Sequence, residues 1–137
     1  MRISQRGLYA LQALTVLAEH PDAVVKIKDI AAEEKLPEKF LEAILLELKR
    51  ARIVVSLRGA HGGYQLKRSP KKISLGEVIR RIDGPLAPFE DAESLRRRVN
   101  TDRKHRPLFR VLLDVRNATA NILDHTSLSD LCCCSRN

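Results

Sequence analysis

One stretch restricts the fold more than any other. Residues 53–66 read Ile-Val-Val-Ser-Leu-Arg-Gly-Ala-His-Gly-Gly-Tyr-Gln-Leu. Ile53–Leu57 is β-branched and strand-like, Arg58–Gly63 is a glycine-rich turn, and Tyr64-Gln65-Leu66 returns with alternating faces. This β-hairpin sits in a chain whose remaining apolar residues recur at helical spacing. Three Phe, two Tyr and no Trp are too few aromatics for a β-sandwich or a base-stacking sheet. The expectation is a mainly α fold with a small β-hairpin. The 137 residues amount to about one domain, which excludes a two-lobed enzyme. A hydrophobic content of 44% suits one core and argues against disorder.

The helices around the hairpin read clearly. Gly7–His20 carries Leu8, Leu11 and the run Leu14–Ala18, with Ser4 as N-cap and Pro21-Asp22 as the stop. Lys28–Glu34 is a short helix with Ile30 and Ala31 inward, and Lys35-Leu36 is the turn. Pro37 opens a third helix to Arg50, with Leu41, Ile44, Leu45 and Leu48 as its buried stripe and Phe40 and Leu46 off it. Two helices joined by a tight turn suggest a helix-turn-helix, and the hairpin makes it winged. Ser74–Asp83 is a fourth helix opened by the capping-box pair Ser74 and Glu77 and ended by Gly84-Pro85.

The expected division is a winged helix-turn-helix over 1–84, a mobile loop over 85–106, a dimerisation helix with a short terminal helix over 107–131, and a Cys-rich tail over 132–137. From Pro107 to Asp124, Leu108, Leu112, Val115, Thr119 and Ile122 alternate steps of four and three. Phe109, Leu113, Ala120 and Leu123 form a second row. A winged helix closes its own core, so this added amphipathic face points to a homodimer through Leu108, Leu112, Val115 and Ile122. The alternative is packing on the first helix of the same chain alone.

Charge placement is the strongest functional signal. The chain carries +8. Lys49, Arg50, Arg52, Arg58, Lys67, Arg68, Lys71 and Lys72 lie within residues 49–72, where there is no acidic residue, so that segment alone carries +8. It spans the end of the third helix and the whole wing, the two parts of a winged helix that meet duplex DNA. Candidate DNA-binding residues are Lys39, Phe40, Glu42, Lys49 and Arg50 on the helix and Arg58, Gly59, His61, Gly62 and Gly63 on the wing. Lys39 can bind a guanine edge or a phosphate, Phe40 a thymine methyl, and Glu42 a cytosine amine. Glu42 equally suits a helix N-terminus. Arg58 can insert into a narrow minor groove, while the glycines serve either close backbone approach or the turn alone.

The chain offers no catalytic constellation. His20, His61, His105 and His125 are scattered, and phosphate-loop, dinucleotide and zinc-protease motifs are absent, so the expectation is not an enzyme. No apolar run reaches the roughly 18 residues of a membrane span. A cytoplasmic location without membrane association follows. Cys132, Cys133 and Cys134 are adjacent, which is not a disulfide framework. They leave open a thiol- or metal-responsive regulator. A third reading is a winged helix that docks a protein partner and binds DNA weakly.

Arg2-Ile3-Ser4, Gly7, Tyr9, Phe40-Leu41-Glu42, the wing Arg58-Gly59-x-x-Gly62-Gly63-Tyr64-x-Leu66, Gly76-Glu77-Val78-Ile79 and Gly84-Pro85 together resemble the Rrf family of bacterial winged helix-turn-helix transcriptional regulators. The resemblance covers about residues 1–131. It implies a homodimeric repressor or activator that binds double-stranded DNA, with the third helix in the major groove and the Arg58–Gly59 wing in the minor groove. It also implies that the helix from Pro107 crosses its partner and that Ser127–Leu131 is a short terminal helix. Sensor members of the family hold an iron–sulfur cluster on three cysteines in the loop before the long helix. Residues 86–106 contain none, and His105 stands alone there. The chain therefore resembles the cluster-free branch, with no cofactor expected. Ala43 replaces a polar residue common in the recognition helix of an iron–sulfur member of the family, so the resemblance leaves open which DNA sequence is read; the effector and any protein partner stay open as well.

Overall fold

A computed structural model describes residues 2–87 and 89–134, and for Cys133 and Cys134 the backbone alone. Helix α1 (Gln5–Glu19) is capped by Ser4, whose Oγ accepts the Gly7 N–H at 3.0 Å. Helix α2 (Ile27–Glu34) ends at Lys35, which takes the left-handed conformation (φ 55°) and returns its N–H to the Ala31 carbonyl. That one residue makes the tight turn. Pro37 is the N-cap of α3 (Glu38–Arg50) rather than its first helical residue. Strands β1 (Val54–Leu57) and β2 (Gly63–Leu66) pair antiparallel, Val54 opposite Leu66 and Leu57 opposite Gly63. A 3-10 turn over Pro70–Lys72 leads to α4 (Leu75–Asp83), capped by Ser74, whose Oγ accepts the Glu77 N–H at 3.1 Å.

The core forms around α1, which touches α2, α3, α4 and β2. Ala10, Ala13, Leu14 and Leu17 of α1 and Leu41, Ile44, Leu45 and Leu48 of α3 are fully buried, together with Ile30, Ile53, Ile73 and Val78. The 3.6-residue stripe read from α3 is thus its inner face. The hairpin is tied down close to its turn. The Val25 and Tyr64 backbones exchange two hydrogen bonds of 2.8 Å, so the segment before α2 pairs with β2.

Residues 85–106, expected to be a mobile loop, correct the sequence reading. They contain helix α5 (Ala92–Thr101), capped by Asp91, which accepts the Ser94 N–H at 2.8 Å. Those backbone bonds hold the Asp91 carboxyl below the usual range. Leu95 is fully buried against α6 (Arg106–Asp124). Arg98 lies 5.2 Å over the Phe109 ring, and Arg106 Nε donates to the Val99 carbonyl at 2.8 Å. Helix α7 (Leu128–Cys134) returns to α1 with Leu128 buried and Leu131 and Cys132 against the core. The Cys133 and Cys134 side chains and residues 135–137 of the expected tail lie outside the described residues.

Candidate nucleic-acid interface

With the apolar stripe of α3 turned inward, the rest of the helix is left to solvent. Glu38, Lys39, Phe40, Glu42, Ala43, Leu46, Lys49 and Arg50 are all exposed. Positions 39, 42, 43, 46, 49 and 50 are spaced three and four apart and lie on one face. Lys39, Glu42, Lys49 and Arg50 therefore share a surface opposite the core. Phe40 flanks it, a large ring left 58% exposed. Leu46 lies at the centre of the same face and is also exposed. The sequence reading noted it as off the stripe yet did not count it in the site.

The wing extends from the same end of α3. Arg52, at the junction, takes a left-handed conformation (φ 61°) and is exposed. Arg58, Gly59 and His61 are exposed at the turn. The glycines divide between two jobs. A Cβ at Gly62 would meet the Leu57 carbonyl oxygen at 2.3 Å, and one at Gly63 the Val25 carbonyl oxygen at 2.4 Å. Both are required by close backbone approach within the fold. Gly59 has φ +106° with open space around its Cβ position. Only there does the glycine leave backbone uncovered beside Arg58.

Electrostatics separate the basic residues of this segment. Arg68 is paired with Glu77 of α4 and also bonds the Lys72 carbonyl. It clamps the foot of the wing. Among the described residues Lys49, Arg50, Arg52, Arg58, Lys67, Lys71 and Lys72 make no ion pair and are exposed. Unpaired cations on a helix face and an adjoining hairpin suit a ladder of phosphates.

The expected dimerisation residues lie on α6. Leu108, Val115 and Ile122 are exposed, and Leu112 is half-buried. Val111, which the two-row reading left out, belongs with them. It lies three residues after Leu108 and four before Val115, so helical spacing already pointed to it. Leu108, Val111, Val115 and Ile122 are between 46% and 64% exposed.

Among the described residues no helix is long and apolar enough to cross a membrane, and no three His, Cys, Asp or Glu side chains converge as a metal site.

Residues 3–133 match the Rrf2 family, described as iron-dependent transcriptional regulators. The HTH-type regulator CymR of Bacillus subtilis is 36% identical over 133 residues, 96% of this chain and 89% of CymR. The CymR structure superposes with a TM-score of 0.84, covering 97% of each chain at 31% identity. An rrf2-like HTH-type regulator of Rhodobacter capsulatus is 46% identical over 92 residues, 64% of this chain and 61% of that protein. The structure of T. potens IscR gives a TM-score of 0.75 at 30% identity over 98% of this chain and 88% of that one. These relatives are regulators rather than enzymes, and the hairpin and helices match their winged-helix fold. Iron enters through the family description. An iron–sulfur cluster is held mainly by thiolates, and residues 86–106 contain no cysteine. The carboxylates there are engaged locally: Asp102 accepts the His105 backbone N–H at 2.9 Å, Asp91 caps α5, and Glu90 and Glu93 pair with Arg98 and Arg97. These residues do not fit a cluster.

Proposed function

The chain belongs to the Rrf2 family of transcriptional regulators, and on that premise we propose that it is a homodimeric, sequence-specific DNA-binding repressor. It reads a palindromic operator with the outer face of α3 in the major groove and the Arg58–Gly59 tip in the minor groove. The observation that carries this reading is the coincidence of exposed, unpaired cations with both reading elements of one winged helix. Phosphate contacts from Lys49, Arg50, Lys67, Lys71 and Lys72 supply affinity, and Lys39, Phe40, Glu42 and Leu46 discriminate bases. The second copy covers Leu108, Val111, Val115 and Ile122, a row of apolar side chains about 21 Å long at the helical rise. Such a face needs a partner of like shape, and a twofold pair of α6 helices provides it. The protein acts in the cytoplasm and holds no iron–sulfur cluster in 86–106.

Selection of bound fragments from the host genome at about 150 mM salt, where non-specific phosphate binding is weak, tests the reading. The expected result is an enriched palindrome. Absence of any enriched sequence would overturn it in favour of a protein-docking module. Absorption spectra of anaerobically purified protein should lack iron–sulfur bands, and a stoichiometric cluster would refute the cofactor reading.

A further inference from the structure

Each charged side chain of α4 pairs with a different element. Glu77 holds Arg68 at the foot of the wing. Arg81 Nε reaches Glu47 of α3 at 3.2 Å. Asp83 takes both the Ser4 N–H, at 2.9 Å, and the Ser4 hydroxyl, at the start of α1. Arg80 forks onto Asp124 of α6 through two bonds of 2.6 and 2.8 Å. The wing, the recognition helix and the dimer helix are therefore referenced to one element.

Helix α6 joins the DNA-reading body near its C-terminal end. Ala120 and Leu123 pack with Ile79 and Leu86. Just beyond the helix, the Leu75 N–H donates to the Thr126 carbonyl at 2.9 Å and the Leu128 N–H to the Ile73 carbonyl at 3.0 Å. This backbone bridge is a pivot. Apolar contact alone lets a helix rock on such a pivot, whereas a two-point guanidinium–carboxylate fork fixes direction. Gly76 makes room for the fork, because a Cβ there would come within 2.0 Å of Asp124 Oδ1.

We propose that Arg80 and Asp124 are positioning residues that set the tilt of α6 on the body, and through it the spacing between the two operator half-sites. The inference rests on the homodimeric DNA-binding reading above. Its lever arm is long: 19 residues of helix span about 28 Å. A tilt of about 10° moves the far end by about 5 Å, more than the roughly 3.4 Å between base pairs. The pair is about one-third exposed on both sides, so it adds little to stability. Its contribution is geometric.

The test takes the half-sites that wild-type protein enriches and varies the spacer between them. Wild type should prefer one spacing about tenfold over spacers one base pair longer or shorter. Arg80→Ala and Asp124→Ala should flatten that preference to about twofold or less, with the half-site sequence and dimer mass unchanged. Gly76→Ala, which displaces the Asp124 carboxylate from the other side, should do the same. Arg80 lies at the surface, so its removal leaves the core of α4 untouched. A variant that loses affinity equally at every spacing reduces the pair to a structural contact and overturns the proposal, as does a variant that no longer dimerises. If wild type itself enriches no paired half-sites, the homodimeric reading fails first and the inference falls with it.

Discussion

The DNA-reading body and the α5–α6 arm solve burial in different ways. In the body, Ala10, Ala13, Leu14 and Leu17 of α1 meet a fully buried stripe on α3 within a single chain. The arm buries Leu95 completely, and Phe109 and Ala120 nearly so. Elsewhere on α6, Leu108, Val111, Val115 and Ile122 face solvent, while Leu112, Leu113 and Leu123 are half-buried. The body holds a finished core, and on the proposed reading the arm holds half of one. On the proposed reading, body stability is a property of the chain, while the arm's stability rises with protein concentration.

The sharpest way to break this contrast is to charge the unfinished face. Val111→Asp with Val115→Asp should leave monomers in sedimentation, since each uncompensated buried charge costs about 3–5 kcal/mol. Circular dichroism should retain the helical signal of the body. Dimers that persist would mean that another surface joins the copies. Next in size, Leu45→Ala opens a cavity in the finished core and should lower stability by about 3–5 kcal/mol in urea melts. A loss under about 1 kcal/mol would show the α1–α3 packing to be loose. Arg58→Ala should weaken operator binding about tenfold and reduce the salt slope by about one, with the fold intact. Unchanged affinity at physiological salt would remove the wing from the interface. Ser74→Ala should cost about 1 kcal/mol of stability by leaving the Glu77 N–H without its cap.

The smallest effect concerns the joint between the two regions. The Arg80 hydrogen bond, more than its charge, holds the Asp124 carboxyl below the usual carboxylate range, and burial opposes it. A carboxyl depressed on folding contributes stability above its unfolded value and loses it as pH falls through the folded one. The joint is therefore intact at neutral pH and loosens only in acid. Titration of the Asp124 carboxyl by NMR should give a midpoint below the ordinary range, and a midpoint at or above it would remove the fork.

Legibility in the sequence follows the same division. The α3 stripe, the hairpin and the Ser4 and Ser74 caps were readable because each rests on a local signal: period, turn chemistry or cap spacing. Helix α5 was not, because it has one fully buried anchor, Leu95. It is held instead by a cap from Asp91, by Glu90–Arg98 and Glu93–Arg97 pairs, and by the Arg98 guanidinium over the Phe109 ring. Those contacts leave no apolar period to read. The capping-box pattern was half right. Ser74 caps the helix, but the Glu77 side chain turns to Arg68 at the foot of the wing, a long-range partner invisible to spacing. The outer face of α3 was legible by subtraction, since residues not needed inside are free to meet a partner.

On the proposed reading, Gly59 gives the two reading elements different ways to change. The α3 surface is a set of side chains on a rigid cylinder, so a new operator is reached there by substitution, one residue at a time. The hairpin is fixed on the β2 side of its turn by Gly62, Gly63 and the Val25–Tyr64 backbone pair. On the other side of the turn a Cβ at Gly59 would meet nothing within 4 Å, while its carbonyl accepts the Gly62 N–H at 3.0 Å, so residues added at the tip lengthen the probe into open space. Tolerance for groove width can then drift through loop length while the base-reading surface stays constant, which lets related regulators part company over DNA shape before they differ over DNA sequence.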